Sequence, residues 1–162
     1  MLKREYEDEG LSVLNDGPFV ALVWRAGPTE ARVANVERIL EGVSRKHPNG
    51  FGVLIVVGES TSLPSIALRE RIVGVLRKVT QHVRVVGWVV PSEGFHGSMV
   101  RSLFTALFLM LRPRFKPQAF QSLREGLAYV LGGVGLGDTA YLSSVLAEIE
   151  ACQRMQPSRA SG

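Results

Sequence analysis

Two unbroken apolar runs constrain this chain more than any other feature. They are FGVLIVVG at 51–58 and VRVVGWVVP at 83–91, and both are rich in β-branched residues. A strand with one solvated face alternates apolar and polar residues, whereas a strand without a polar face must be covered on both sides. The two runs therefore predict adjacent, buried, parallel strands in a sheet that carries helices on each face.

The segments around these runs alternate between strand patterns and helix patterns. LSVL at 11–14 and FVALVWRAG at 19–27 predict two strands that the NDGP turn joins. A helical pattern then runs from a Thr29 cap to about His47. Further alternation gives the order ββαβαβαβα plus an extra C-terminal helix. This order predicts the α/β class, with a single mostly parallel sheet, right-handed crossovers and an antiparallel first strand at its edge.

The later segments complete this order. The helix predicted at 98–111 is strongly apolar, and FKPQAF at 115–120 predicts a short strand that Pro117 places at an edge of the sheet. Ser122 and Asp138 are expected to cap the last two helices. We divide the chain into a charged lead-in at 1–10, an α/β domain at 11–131, a hinge and C-terminal helix at 132–155, and a flexible tail at 156–162.

Composition limits the classes of function. The chain has 162 residues, of which 46% are apolar, enough for a sizeable core. Its net charge of +4, without a lysine/arginine tract, permits an acidic partner but predicts no nucleic acid. The single cysteine, Cys152, excludes an intrachain disulfide and fits a reducing compartment. The N-terminus lacks a secretory signal, and no apolar run is long enough to span a bilayer, so we predict a cytoplasmic protein.

Four hydroxyl residues follow the first apolar run: Ser60, Thr61, Ser62 and Ser65. We expect a helix to begin at Pro64 and Ser62 to cap it, because serine oxygens accept hydrogen bonds from the free N–H groups of a first helical turn. A phosphate at this place would meet the same N–H groups and the helix dipole, so a regulatory role is also open.

A second junction follows the other apolar run. There we expect a loop at 92–97 that carries His96, with Ser98 beginning the next helix. Because ligands of open parallel sheets bind beyond the carboxyl ends of strands, this junction and 58–65 should be neighbours. The chain has no G-x-S-x-G motif and no cysteine–histidine cluster, so we predict no catalytic residue, metal or cofactor.

Two further features leave alternatives open. Positive charge is concentrated in the last third of the chain, either as a solvated rim or as a site for an acidic partner or an anionic head group. Its residues are Arg101, Arg112, Arg114, Lys116 and Arg124. The helix at 98–111 is apolar around most of its circumference, so the C-terminal helix, a second subunit or a ligand must cover the excess.

This element order and five segments of the chain are similar to those of STAS-type domains. The segments are FVALVWRAG, HPNG, FGVLIVV, VRVVGWVV and FKPQAF. Over residues 11–131 the chain specifically resembles the bacterial SpoIIAA-like, or STAS/SEC14-like, branch. The resemblance implies a non-enzymatic signalling or scaffold module that binds a protein partner, such as a kinase or regulator. The surplus apolar surface of the helix at 98–111 also makes a homodimer possible. The resemblance puts phosphorylation on Ser60, Thr61, Ser62 or Ser65. With the neighbouring junction and its positive charge, the predicted partner-binding or regulatory residues are Ser60, Thr61, Ser62, Ser65, His96, Ser98 and Arg101. The SEC14-like relatives imply an alternative, an apolar pocket for a lipid-like ligand. An enclosed cavity or a flat apolar surface would distinguish the two.

Overall fold

The computed structural model describes residues 1–90 and 94–155 and contains one six-stranded sheet. The strands are β1 (Lys3–Glu7), β2 (Leu11–Asp16), β3 (Phe19–Trp24), β4 (Phe51–Val57), β5 (Val83–Val89) and β6 (Gln118–Phe120). The helices are α1 (Glu30–Lys46), α2 (Ile66–Val79), α3 (Phe95–Leu111), α4 (Leu123–Gly133) and α5 (Thr139–Arg154), and a 3-10 turn at Thr80–His82 follows α2.

The strands lie side by side in chain order. β1, β2 and β3 are antiparallel, and β3, β4, β5 and β6 are parallel. The predicted adjacency of the two apolar runs is confirmed, with Val53 opposite Val86 and Ile55 opposite Trp88. Because parallel strands in simple succession require crossovers of the same hand, α1, α2 and α3 all lie on one side of the sheet, which we call the crossover face.

α4 and α5 cover the opposite side, the rear face, and α4 packs on it very closely. A Cβ atom at Gly126 of α4 would lie 2.6 Å from a Val89 methyl group, and one at Gly87 of β5 would lie 2.9 Å from a Val130 methyl group. These glycines therefore let the backbones of helix and strand approach each other. The crossover face has larger side chains at the interface, such as Leu22, Ile55 and Trp88, and its helices stand on those.

The structure corrects the prediction for the N-terminus. Residues 3–7, expected to be a solvated lead-in, form β1, so β2 is not the edge strand. Charged side chains are common on edge strands because they discourage pairing with other chains, and this composition concealed the strand. Only Tyr6 of β1 packs against the crossover-face core.

The structure also corrects the C-terminal half. α3 begins at Phe95, three residues before the predicted start, so residues 95–97 of the predicted loop are helical. Residues 91–93 lie outside the described part of the chain, as does the predicted tail at 156–162. α5 buries Leu142, Val145, Ile149 and Cys152 on the rear face. It therefore belongs to the domain core, beside β3, and does not cover α3. The chain turns to the rear face after β6 because three helices already occupy the other.

Several local predictions are confirmed. Thr29 caps α1 by accepting a hydrogen bond from the Arg32 N–H at 3.2 Å, and Ser122 and Asp138 cap α4 and α5. β6 follows Pro117 and pairs with β5 at the end of the sheet. Among the described residues, every helix is too short or too polar to cross a membrane.

Candidate functional site

The two strand-to-helix junctions meet at the carboxyl edge of the sheet. His96 Nε2 lies 2.7 Å from the Thr61 carbonyl oxygen. A carbonyl oxygen only accepts, so Nε2 carries the proton and Nδ1 of the neutral ring is an acceptor. Nδ1 is buried and has no hydrogen-bond partner within residues 1–90 and 94–155. The parallel topology thus places the second junction against the first, as expected.

The four hydroxyl residues have different surroundings. Ser65, not Ser62, caps α2 by accepting from the Leu68 N–H at 3.2 Å, so the predicted cap and the predicted start at Pro64 are wrong. Pro64 lies in the preceding loop, and the helix begins at Ile66, after the extended backbone of Ser65. Thr61 is only 8% exposed, and its hydroxyl faces the Trp24 carbonyl oxygen at 3.4 Å. Ser60 and Ser62 are exposed.

The other predicted site residues lie along α3. Ser98 is exposed in the first turn, where its backbone N–H donates to the Gly94 carbonyl oxygen. Arg101 is half-buried one turn later, and its carbonyl oxygen accepts from the Thr105 hydroxyl. No hydrogen bond joins the side chains of Ser98 and His96 in the described part of the structure. The arrangement therefore offers no serine nucleophile activated by this histidine.

An apolar cavity of about 150 Å³ lies on the crossover face, between the sheet and α1, α2 and α3. Trp24 and Ile55 of the sheet line it, with Val36, Val75 and Val100 from the three helices. The polar residues in its wall are threonines and serines, at 61, 62 and 80. An engineered cavity of this volume in another protein stays dry and binds benzene, so this one has room for about six carbon atoms. The surplus apolar surface of α3 is the signal in the sequence that pointed to it.

A second concavity, an open groove of about 490 Å³, lies beside the C-terminal half of α3. Trp88, Leu109 and the prolines at 113 and 117 form its apolar wall, and Arg114 and Lys116 bring positive charge. Trp88 stacks on Phe104, with ring centroids 4.9 Å apart and planes inclined by 13°. Phe108 and Phe115 line both the groove and the cavity, so the two spaces adjoin at these rings.

A buried guanidinium was not predicted from the sequence. Arg25 is only 7% exposed, and its Nη1 donates to the Ser12 hydroxyl at 2.8 Å and to the Cys152 carbonyl oxygen at 2.9 Å. Its other nitrogens donate to the carbonyl oxygens of Asp8 and Glu9. These neutral acceptors join β2, β3 and the end of α5, so we read Arg25 as a structural residue.

A neighbouring carboxylate has a shifted pKa. Burial of Asp8 opposes ionisation, but hydrogen bonds from the Tyr6 hydroxyl, the Gly10 N–H and the Arg32 guanidinium outweigh it and hold the pKa of Asp8 below its usual range. Arg32 also forms an ion pair with Asp8 at 3.0 Å. No group of three potential ligands for a metal ion occurs within the described residues, and Cys152 is buried.

Comparison with known proteins establishes the fold. No family model matches the chain, and no curated protein matches it. Its structure is similar to the crystal structure of an uncharacterised protein of the DUF3478 family with a SpoIIAA-like fold from Shewanella loihica PV-4. The TM-score is 0.57 at 11% identity, over 77% of this chain and 97% of that one. The chain therefore has a SpoIIAA-like fold, as the sequence resemblance predicted, and at this identity the likeness concerns the fold alone.

Proposed function

We propose that this protein is a non-enzymatic binding module whose crossover-face cavity takes an apolar small molecule. The observation that carries the proposal is the cavity itself, about 150 Å³ of apolar space inside the helix layer. Of the two functions that the sequence left open, this apolar concavity supports ligand binding over a flat protein interface. Among the described residues, none that lines the cavity has a titratable side chain to act as acid or base, which supports a binding role.

Energetics give a second reason. An unfilled apolar space costs folding stability, because the atoms that line it lose contacts. The rear face of the same sheet has close glycine-mediated packing, so this chain can pack without voids. A bound apolar group would recover the lost contacts.

The single, buried Cys152 fits a reducing environment, and we propose a cytoplasmic location on that basis.

Octanol binding tests this proposal. We expect octanol to raise the melting temperature of the protein and to give saturation-transfer NMR signals, because it binds the folded state alone. Val36→Phe and Val75→Phe put a ring into the cavity and should weaken binding at least tenfold. Leu131→Met, a volume-conserving change on the rear face, is the control and should bind like the parent. A parent that does not bind octanol, or filled variants that bind it equally well, would refute the proposal.

A second candidate is a protein partner at the carboxyl edge of the sheet. The observation that favours it is exposed apolar surface there: Ile66 is 75% exposed at the start of α2, and Met99 is 38% exposed on α3. The exposed Ser60 and Ser62 lie in the loop before α2, accessible to a kinase. This arrangement supports phosphorylation-regulated partner binding, the role that the resemblance implies for this loop.

Matched variants test this second candidate. The measurement is the affinity of each variant for any partner that the protein captures. Ile66→Asp and Ser62→Glu should each weaken binding by about tenfold, or 1.4 kcal/mol. Ser143→Glu adds the same charge on exposed α5, behind the sheet, and should leave binding unchanged. Equal binding by all four proteins would remove the edge as an interface.

The homodimer expected from the sequence stays a prediction. Met110 of α3 is 57% exposed and would supply the contact between copies. Sedimentation velocity over a range of concentrations should then show association that Met110→Glu abolishes. A parent that stays monomeric throughout the range would contradict it.

A further inference from the structure

We propose that the ligand is an anionic amphiphile, whose apolar chain enters the cavity while Arg114 and Lys116 hold its head group in the adjoining groove. This inference rests on the proposed function, since it names the chemical class of the molecule that the cavity takes. It depends on three observations: the continuity of the two spaces, the charge of the groove, and the rigidity of the segment that supplies that charge.

The first observation is continuity. Phe108 and Phe115 line both the cavity and the groove. The cavity alone has room for about six carbons, so a longer chain must extend beyond it. The groove continues the apolar wall with Trp88, Leu109 and Pro117. The apolar lining of the buried space thus continues into that of the groove at these two rings.

The second observation is charge. Between Glu93 and Glu125 the chain contains five lysines and arginines and no carboxylate side chain. Arg114 and Lys116 are exposed, and within the described residues no carboxylate lies within ion-pair distance of either. By contrast, Arg71 of α2 pairs with Glu30 at 3.2 Å. A local excess of one sign attracts the opposite charge, so the groove favours an anionic group over a neutral or cationic one.

The third observation is the backbone that carries these cations. Arg112 ends α3 in the left-handed conformation, with φ at 45°, and Pro113 and Pro117 enclose the segment with fixed φ angles. Arg114 and Lys116 line the groove on either side of Phe115, which also reaches the cavity. This short segment thus contains both the residues proposed to hold the head group and a residue of the apolar wall that would contact the ligand's apolar chain. An arginine beside a lysine suits a phosphate or carboxylate, because the guanidinium can donate two parallel hydrogen bonds.

Octyl phosphate, octanol and inorganic phosphate separate the contributions of head and chain. Calorimetry below the micelle-forming concentration should give octyl phosphate an affinity about tenfold higher than that of octanol, from charge-assisted hydrogen bonds. The double variant Arg114→Gln/Lys116→Gln should lose this advantage and bind octanol like the parent. Arg45→Gln/Arg77→Gln removes two exposed cations that line neither space and should leave all three affinities unchanged.

Each other outcome has a distinct meaning. Equal affinities for octyl phosphate and octanol, or octyl phosphate binding that survives the double variant, would overturn the head-group assignment and leave the apolar-ligand proposal intact. Inorganic phosphate that binds as tightly as octyl phosphate would overturn the link between head and chain. Phosphatidylglycerol vesicles that bind the parent without competition from octyl phosphate would assign the cations to a membrane surface instead. If neither octyl compound binds, the proposed function itself fails.

Discussion

At the scale of single residues, four neighbouring hydroxyl groups have separate roles because their backbone positions differ. Ser65 accepts from the first turn of α2, Thr61 is buried beside Trp24, and Ser60 and Ser62 face solvent. The residue types alone could not distinguish them, since each is suited to capping and to turns. The distinction depends on where α2 begins, which is at Ile66 after the Ser65 cap.

The cap assignment predicts a difference between two alanine variants. Ser65→Ala should lower the free energy of unfolding by about 1 kcal/mol, because it leaves an N–H of the first turn without its side-chain acceptor. Ser62→Ala, the control three residues earlier, should change it by less than about 0.5 kcal/mol. Urea denaturation of the three proteins measures both values. An equal loss in the two variants would contradict the observed cap.

The Asp8 network predicts a dependence on pH. The folded state lowers the pKa of this carboxyl, so its contribution to stability is present above the unfolded pKa of about 3.9 and is lost as pH falls through the folded value. Asp8→Asn removes that contribution. The free energies of unfolding of parent and variant should therefore differ most near neutral pH and converge below about pH 4. A difference that is constant from pH 7 to pH 2.5 would show that the charge of Asp8 is unimportant.

At the scale of elements, the two helix layers differ in their distance from the sheet. α4 lies directly on the rear face because glycines stand at the points of contact. α1, α2 and α3 rest on branched and aromatic side chains, whose shapes leave the cavity between them. The candidate ligand site is thus a consequence of packing, since it lies on the face whose helices rest on side chains and not on the face where glycines bring α4 close to the sheet.

Two glycines of α4 provide a matched test of this packing. Gly126→Ala should destabilise the protein by about 1–3 kcal/mol, because the new methyl group overlaps Val89. Gly132→Ala lies in the same helix with no atom within 4 Å of the added methyl, so it should stabilise by up to about 1 kcal/mol through helix propensity. Thermal denaturation gives both signs, and two stabilising variants would mean that α4 does not approach the sheet closely.

At the scale of the whole molecule, we expect α5 to unfold together with the rest of the domain. Tyr141 near its start donates a hydrogen bond to Asp16, and the Cys152 carbonyl oxygen near its end accepts from Arg25. Between these points the helix buries Ile149 completely on the rear face. The predicted separation of 132–155 from the α/β domain therefore does not describe the packing, since the last helix completes one of the two cores.

A truncated core residue on α5 tests this unity. Ile149→Ala should lower the free energy of unfolding by about 2–5 kcal/mol. The loss should be the same by circular dichroism and by tryptophan fluorescence, because Trp24 and Trp88 belong to the crossover-face core and would report global unfolding. Ala147→Ser, at an exposed position of the same helix, should be nearly neutral. A fluorescence transition that does not move in Ile149→Ala would mean that α5 unfolds separately.

The sequence by itself determined the features that a few neighbouring residues specify. The runs at 51–58 and 83–91 predicted buried parallel strands because they lack a polar face, and β4 and β5 lie within them. Thr29, Ser122 and Asp138 cap their helices through their own first turns. The order of these elements was enough to predict the α/β class and the resemblance to SpoIIAA-like domains.

Only the tertiary structure decided the features that join distant segments. The pairing of β1, the rear position of α5, and the contact between Arg25 and Cys152 all depend on parts of the chain far apart in sequence. The cavity and the groove depend further on how far each helix stands from the sheet. Periodicity shows which face of a helix is apolar, but the volume left beneath it is set by side chains from several elements packing together.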